Sequence, residues 1–230
     1  NDLLQTPEGE IWALSAADGI FRISSATLEA SPLETVNASL RPGARCDNMF
    51  LDASRRLWVA YENGGLQFVD PATGACRYFS AAGFGGESVM DIEEDGAGSL
   101  LVCTHTAIYR YDATAGDFAP AVTYPRMQVQ SFFHGAGGTL LLGTSGSGLW
   151  AVEPASGRIT QVRELVPGRS LDLSRGKVYA YLCDRDDNVW VGCQQRGLYF
   201  ADATPNPFRF LPLQQLQAEL DSKDIHISQL

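Results

Sequence analysis

The chain has 230 residues, of which 45% are hydrophobic and 23 are glycine, which suits many short strands joined by tight turns rather than long helices. With 27 acidic against 17 basic residues it carries a formal charge of −10, and no basic cluster interrupts it. That balance excludes nucleic acid as a partner, because phosphate neutralisation needs concentrated Lys and Arg. No apolar run approaches the roughly 18 residues that a spanning helix needs, and the first residues show no signal-peptide pattern.

Taken in order, the chain repeats one grammar five times: an inner strand, a polar reversal, a second strand with a large apolar residue at its centre, a glycine turn and a third strand. The first copy runs from Leu4 through Ile11-Trp12-Ala13 to Gly19-Ile20-Phe21. The second runs from Met49 through Leu57-Trp58-Val59 to Gly65-Leu66-Gln67, and the third from Val89 through Leu100-Leu101-Val102 to Ala107-Ile108-Tyr109. The fourth has Leu140-Leu141-Leu142-Gly143-Thr144 and Gly148-Leu149-Trp150; the fifth has Asp184, Val189-Trp190-Val191-Gly192 and Gly197-Leu198-Tyr199-Phe200. The anchors Trp12, Trp58, Leu101, Leu141 and Trp190 recur at intervals of 40 to 49 residues.

Turns such as Asp70-Pro71-Ala72-Thr73-Gly74, Asp112-Ala113-Thr114-Ala115-Gly116 and Glu153-Pro154-Ala155-Ser156-Gly157 lead to a fourth strand in each unit. Four strands per period of about 43 residues make a β-propeller blade, and a single blade cannot bury both of its faces. The expected fold is therefore all-β, a β-propeller of four-stranded antiparallel blades, about five in this chain and open to being part of a larger ring. Repeat cores fall near 3–23, 47–79, 87–118, 128–162 and 177–201. Ser24 to Ser39 is read as a polar link with an outer strand and a loose loop. Leu213 to Leu220 has the spacing of a short amphipathic helix, and 224–230 reads as a partial inner strand. Lacking an initial Met and starting inside a strand, the chain is expected to be a piece of a longer protein.

The sequence of an Asp-x-x-Gly/Asn reversal, apolar-Trp-Val-Gly-Thr/Cys and Gly-Leu-Tyr, best seen from Asp184 to Phe200, resembles the two-component regulator propeller repeat. The third and fourth copies match at Ala107-Ile108-Tyr109, Gly143-Thr144 and Gly148-Leu149-Trp150, while the first two are looser. The resemblance implies the sensor region of a bacterial hybrid two-component receptor on the periplasmic side of the inner membrane. It also implies recognition of a small molecule, an oligosaccharide among the candidates, with neighbouring domains of the parent receptor as partners and a homodimer as a further option. This segment is then no enzyme, although its parent could carry a histidine kinase. A protein-interaction scaffold and a propeller lyase or glycan hydrolase are the alternatives.

The chemistry-bearing residues divide between turns and one loop face. Asp184, Asp186 and Asn188 have the oxygen spacing of a calcium loop but lack its glycine and distal glutamate, so turn chemistry is the reading and no metal is expected. Glu93-Glu94-Asp95 is placed in the equivalent hairpin. Gly146-Ser147-Gly148 lies between strands, not at the strand-to-helix turn of a nucleophile elbow. No catalytic group and no cofactor is expected. Five cysteines cannot all pair, and Cys103 and Cys193 read as small packing residues. Turns after the second strands and segments entering the first strands project from one face. They supply the expected ligand-binding residues: Arg45, Asp47, Tyr61, Asn63, His105, Arg126, Gln128, Tyr179, Gln194 and Arg196.

Overall fold

A computed structural model describes residues 2–62, 64–95, 97–135, 139–163, 173–184, 186, 188–194, 197–201 and 209–211. The predicted helix at 213–220 and strand at 224–230 lie outside the described residues, as do Asn63 and Arg196. The chain divides into two compact units, residues 1–121 and 122–230.

The fold is all-β: five four-stranded antiparallel sheets, the blades of a β-propeller. Blade 1 contains β1 (Asp2–Gln5), β2 (Ile11–Ser15), β3 (Gly19–Ile23) and β4 (Ala30–Pro32); blade 2 contains β5 (Cys46–Leu51), β6 (Leu57–Tyr61), β7 (Leu66–Val69) and β8 (Cys76–Phe79). Blade 3 contains β9 (Asp91–Glu94), β10 (Leu100–Cys103), β11 (Ala107–Asp112) and β12 (Asp117–Thr123). In the second unit, blade 4 contains β13 (Val129–His134), β14 (Leu140–Thr144), β15 (Leu149–Glu153) and β16 (Arg158–Val162). Blade 5 contains β17 (Val178–Cys183), β18 (Val189–Cys193), β19 (Gly197–Ala201) and β20 (Arg209–Leu211). Within each blade the strands pair in chain order.

The link between blades 1 and 2 departs from the expected loose loop, since it carries the helix α1 (Glu34–Ser39) after the short outer strand. Val36 of α1 is buried, and the Asn37 side chain both accepts from the Ile20 amide (2.8 Å) and donates to the Ile20 carbonyl (2.9 Å). A six-residue helix has little intrinsic stability, so these tertiary contacts hold it. The polar composition of the segment hid a helix anchored by one valine and one asparagine.

The anchors pack between neighbouring blades. Trp58 is fully buried with Phe79 of its own blade and Val89, Ile92, Leu100, Val102, Ala107 and Tyr109 of the next. Rings gather around it: Phe68 at 5.3 Å, Tyr111 at 5.2 Å and Phe118 at 5.8 Å between centroids, with the Arg56 guanidinium 5.2 Å from the Trp58 ring centre. Trp12 packs likewise against Cys46, Met49, Leu57 and Val59 of blade 2, and in the second unit Leu141 packs against Val178, Val191 and Tyr199.

One turn position explains the recurring Asp. Asp52 Oδ1 accepts the Arg56 amide (2.9 Å), while Oδ2 accepts the indole N–H of Trp58, six residues on, at 2.7 Å. Asp184 does the same with the Asn188 amide (2.9 Å) and the Trp190 indole (3.0 Å). In blade 1 the position is Thr6, which accepts the Glu10 amide at 3.2 Å, and Glu10 takes over the Trp12 indole at 3.1 Å. In blade 3 the residue six on is Leu101, which has nothing to donate, and the second oxygen of Asp95 binds Arg110 instead (2.6 Å). A tryptophan at the blade centre thus requires an acceptor in the preceding turn, because a buried indole N–H left unpaired is costly. At Asp184, donation by the Trp190 indole and by Asn188 pulls the carboxyl down to about 2.

Glycine is demanded at two of the turns by backbone proximity. A Cβ on Gly65 would lie 1.8 Å from the Phe79 carbonyl oxygen, and one on Gly148 1.7 Å from that of Leu173, where φ is also +73°.

Candidate functional site

The turns after the second strands and the segments entering the first strands meet at one end of each blade. In blade 2 the Glu62 amide donates to the Arg45 carbonyl (2.9 Å), and the Cys46 amide donates to Ala16 of blade 1 (2.9 Å). In the second unit the Ser145 amide donates to Gln128 (2.8 Å), the Gln194 amide donates to Lys177 (2.9 Å), and Ser145 forms a bridge with Lys177 of the next blade. The backbone of this rim is tied, so its side chains project from a fixed frame.

Register shifts sharpen the rim. The inner strands of blades 2, 4 and 5 each carry a one-residue irregularity, between Cys46 and Asn48, Val129 and Ser131, and Val178 and Ala180. The unpaired residues are Asp47, Gln130 and Tyr179. Such bulges re-aim side chains at strand ends and are common beside binding sites. The residue after the bulge ties blades together: Ser131 Oγ donates to the Val178 carbonyl (3.3 Å), and Asn48 Nδ2 donates to Asp91 (2.9 Å). A Cβ on Gly143, opposite Ser131, would fall 2.2 Å from Ser131 Oγ and 2.6 Å from the Val178 carbonyl oxygen. The glycine of the Leu-Gly-Thr motif therefore makes room for this tie.

In the first unit, Arg45 is exposed and ion-paired with Glu62 (2.6 Å). Asp47 stands at the solvent edge. Loss of hydration against the inner strands raises its carboxyl above the usual range, and the charges of Glu62 and Asp2 add to this. His105 lies half-buried in the β10–β11 turn, beside Thr106, whose hydroxyl donates to Glu87 (2.9 Å). Tyr61 must be corrected: it is 1% exposed, donates to Gln67 Oε1 at 2.6 Å and accepts the Arg41 amide at 3.2 Å. Burial pushes its phenol up to about 12, so it is a packing residue whose ring ends a strand rather than a ligand contact. A hollow of about 410 Å³ opens between the β2–β3 turn and the Leu40–Cys46 segment, with Asp18, Asn37, Arg41 and Arg45 among its lining.

In the second unit, Arg126 and Gln128 are exposed, and Tyr179 and Gln194 are half-buried at the rim. Gln130, which the sequence reading passed over, occupies the bulge that matches Asp47 and Tyr179. Only the register could have found it, since Val129-Gln130-Ser131 carries no compositional signal for a bulge. Ser147 sits in the β14–β15 turn, where its carbonyl accepts the Trp150 indole (2.9 Å) and the Gln161 amide (3.0 Å).

Glu93 and Glu94 form the end of strand β9 in the β9–β10 hairpin, paired with Leu101 and Leu100, and Asp95 follows in the reversal. On that inner strand, burial, with Asp91 and Glu94 adding like charge, raises the Glu93 carboxyl to about 8. None of the five cysteines forms a disulfide; Cys46, Cys103 and Cys193 are buried, the last two as the small packing residues expected, and Cys76 and Cys183 are exposed. Among the described residues no cluster of His, Cys, Asp and Glu could hold a metal ion, and no helix is long and apolar enough to cross a membrane.

No protein-family model matches the sequence, and no curated protein does. Solved structures do match. The extracellular domain assigned to the hybrid two component system BT3049 of B. thetaiotaomicron superposes with a TM-score of 0.64 at 18% identity, over 90% of this chain and 29% of that one. That of BT4673 from the same organism gives 0.61 at 16%, over 92% of this chain and 32% of that one. A catalytically inactive virginiamycin B lyase from Staphylococcus aureus, with quinupristin, gives 0.65 at 16%, over 92% and 69%. The chain thus spans about a third of the length of those extracellular domains. What it shares with all three is the fold.

Proposed function

We propose that this chain is a ligand-sensing propeller segment of a two-component receptor, exposed on the periplasmic side of the inner membrane and without enzymatic activity of its own. The likeness to the two B. thetaiotaomicron extracellular domains supports the sensor reading. The observation that carries the binding part of the proposal is the pair of bulges that place Gln130 and Tyr179 out of register on the hydrogen-bonded rim of the second unit. Amide, phenol and guanidinium groups there, with Arg126, Gln128 and Gln194, can both donate to and accept from a polyhydroxylated ligand, and Tyr179 can stack on a sugar ring. An oligosaccharide is the ligand class that fits this mixture. Signalling then requires only that the ligand bind two arrangements of the segment and its neighbouring domains with different affinity.

A thermal-shift screen against oligosaccharides tests the proposal, since a ligand that binds only the folded state raises the transition by mass action. Saturable stabilisation by one glycan class, reduced by Tyr179→Ala or Gln194→Ala, supports it. If every sugar leaves the transition unmoved while quinupristin is cleaved, the lyase reading replaces it.

A further inference from the structure

The other end of the first unit, away from the rim, carries a groove between blades 1 and 2. The β1–β2 turn, the β5–β6 turn and the β7–β8 turn enclose about 580 Å³, within the range of small-molecule sites. Its apolar surface comes from Trp12, Leu51 and Pro71, and its polar groups are Glu8, Glu10, Asp70, Arg55 and Ser54. The space exists because blade 1 lacks the ring cover found one blade on. Trp58 is sealed by Tyr111, Phe118 and the Arg56 guanidinium to 0% exposure, whereas among the described residues no aromatic ring packs on Trp12, which keeps 7%.

The charges in the groove are unequal. Arg55, held at φ +62°, pairs with Glu8 across the two blades, so its positive charge is met. Glu10 accepts the Trp12 indole and lies 3.4 Å from Arg22 in a solvent-exposed pair, which screens it little. Asp70 Oδ1 accepts the Ala72 and Thr73 amides at 2.8 and 3.1 Å, bonds that hold its carboxyl below the usual range and keep it anionic. Of the three carboxylates in the lining, Glu8 is paired with Arg55 and Glu10 with the exposed Arg22, whereas Asp70 forms no ion pair among the described residues. With one guanidinium in the lining itself, the groove carries excess negative charge over an apolar surface.

We propose that this groove binds an organic amine, with an apolar body laid on Trp12, Leu51 and Pro71 and a protonated nitrogen directed to Asp70 and Glu10. The site is separate from the rim proposed for sensing. Rim variants leave it intact, and its failure leaves the sugar reading standing.

The test uses the full chain and three probes of one shape: phenethylamine, 2-phenylethanol and phenylacetate. The indole resonance of Trp12 in a nitrogen–proton correlation spectrum reports occupancy. Phenethylamine should shift it saturably, the alcohol should bind at least about 5-fold more weakly, and phenylacetate should leave it unmoved. Added salt should weaken the amine. Asp70→Asn, which keeps both turn hydrogen bonds, should weaken amine binding about 3- to 5-fold, the effect of removing one exposed charge. Ser54→Trp, at the exposed mouth of the groove, should fill it and abolish the shift. Equal binding of the alcohol or the acid, indifference to Ser54→Trp in a folded variant, or no shift of Trp12 by any probe would overturn the proposal.

Discussion

Removing the Asp52 carboxylate tests the turn-to-anchor rule directly. Asp52 is 4% exposed and Trp58 is fully buried, so Asp52→Ala leaves the indole N–H in an apolar surround with no acceptor, at a cost of about 1–3 kcal/mol. The Arg56 amide and guanidinium lose their partner as well, adding about 1 kcal/mol. The sum is about 3 kcal/mol. For a chain of this size that corresponds to a fall in Tm of roughly 6–12 °C. Urea unfolding followed by far-UV circular dichroism measures it. A double-mutant cycle with Trp58→Phe isolates the indole share: in the phenylalanine background Asp52→Ala should cost about 1.5 kcal/mol less, since no indole N–H is left to orphan. A coupling near zero, or a single-variant loss under about 1 kcal/mol, would refute the reasoning.

Three further outcomes follow from single sites. Because the Glu93 carboxyl is raised to about 8 when folded, the folded state holds its proton more tightly than the unfolded chain. The associated stability is complete below pH of about 4.5 and declines as pH rises through about 8, so the protein should lose on the order of 4 kcal/mol between pH 5 and 9, and Glu93→Gln should flatten that slope in urea titrations. Gly148→Ala should destabilise by about 3 kcal/mol or prevent folding, because its Cβ would meet the Leu173 carbonyl at 1.7 Å in a left-handed backbone; a loss of only a few tenths would contradict the close approach. In a thiol assay, Cys76 and Cys183 should react at once and Cys46, Cys103 and Cys193 only on unfolding, which counting released chromophore before and after denaturant will show.

The blades were legible because their signals are local: a centred Trp or Leu recurs at every period, with a glycine at the next turn in four blades and an Asp-led reversal in three. What hid from the sequence depends on pairing between distant strands. The bulge at Gln130 is a matter of register with β14 and leaves no mark in composition. Tyr61 looked like a loop residue because it precedes Glu62 and a glycine turn, yet its ring faces inward and its hydroxyl binds Gln67. The acidic run was read as part of a hairpin, but nothing in its composition showed that strand β9 extends through Glu94 and leaves Glu93 half-buried. The amine groove was invisible for a related reason: it is set by the rings that blade 1 lacks, and only comparison with the sealed Trp58 reveals it.

The bulged inner strands of the second unit form the proposed seat of a sugar ligand. Amide hydrogen exchange with and without the oligosaccharide that most stabilises the protein tests it most directly. Protection concentrated at residues 128–131, 177–180 and 194, and lost in Tyr179→Ala, is the predicted result. Protection confined to other segments, or none while the sugar is bound, would contradict it.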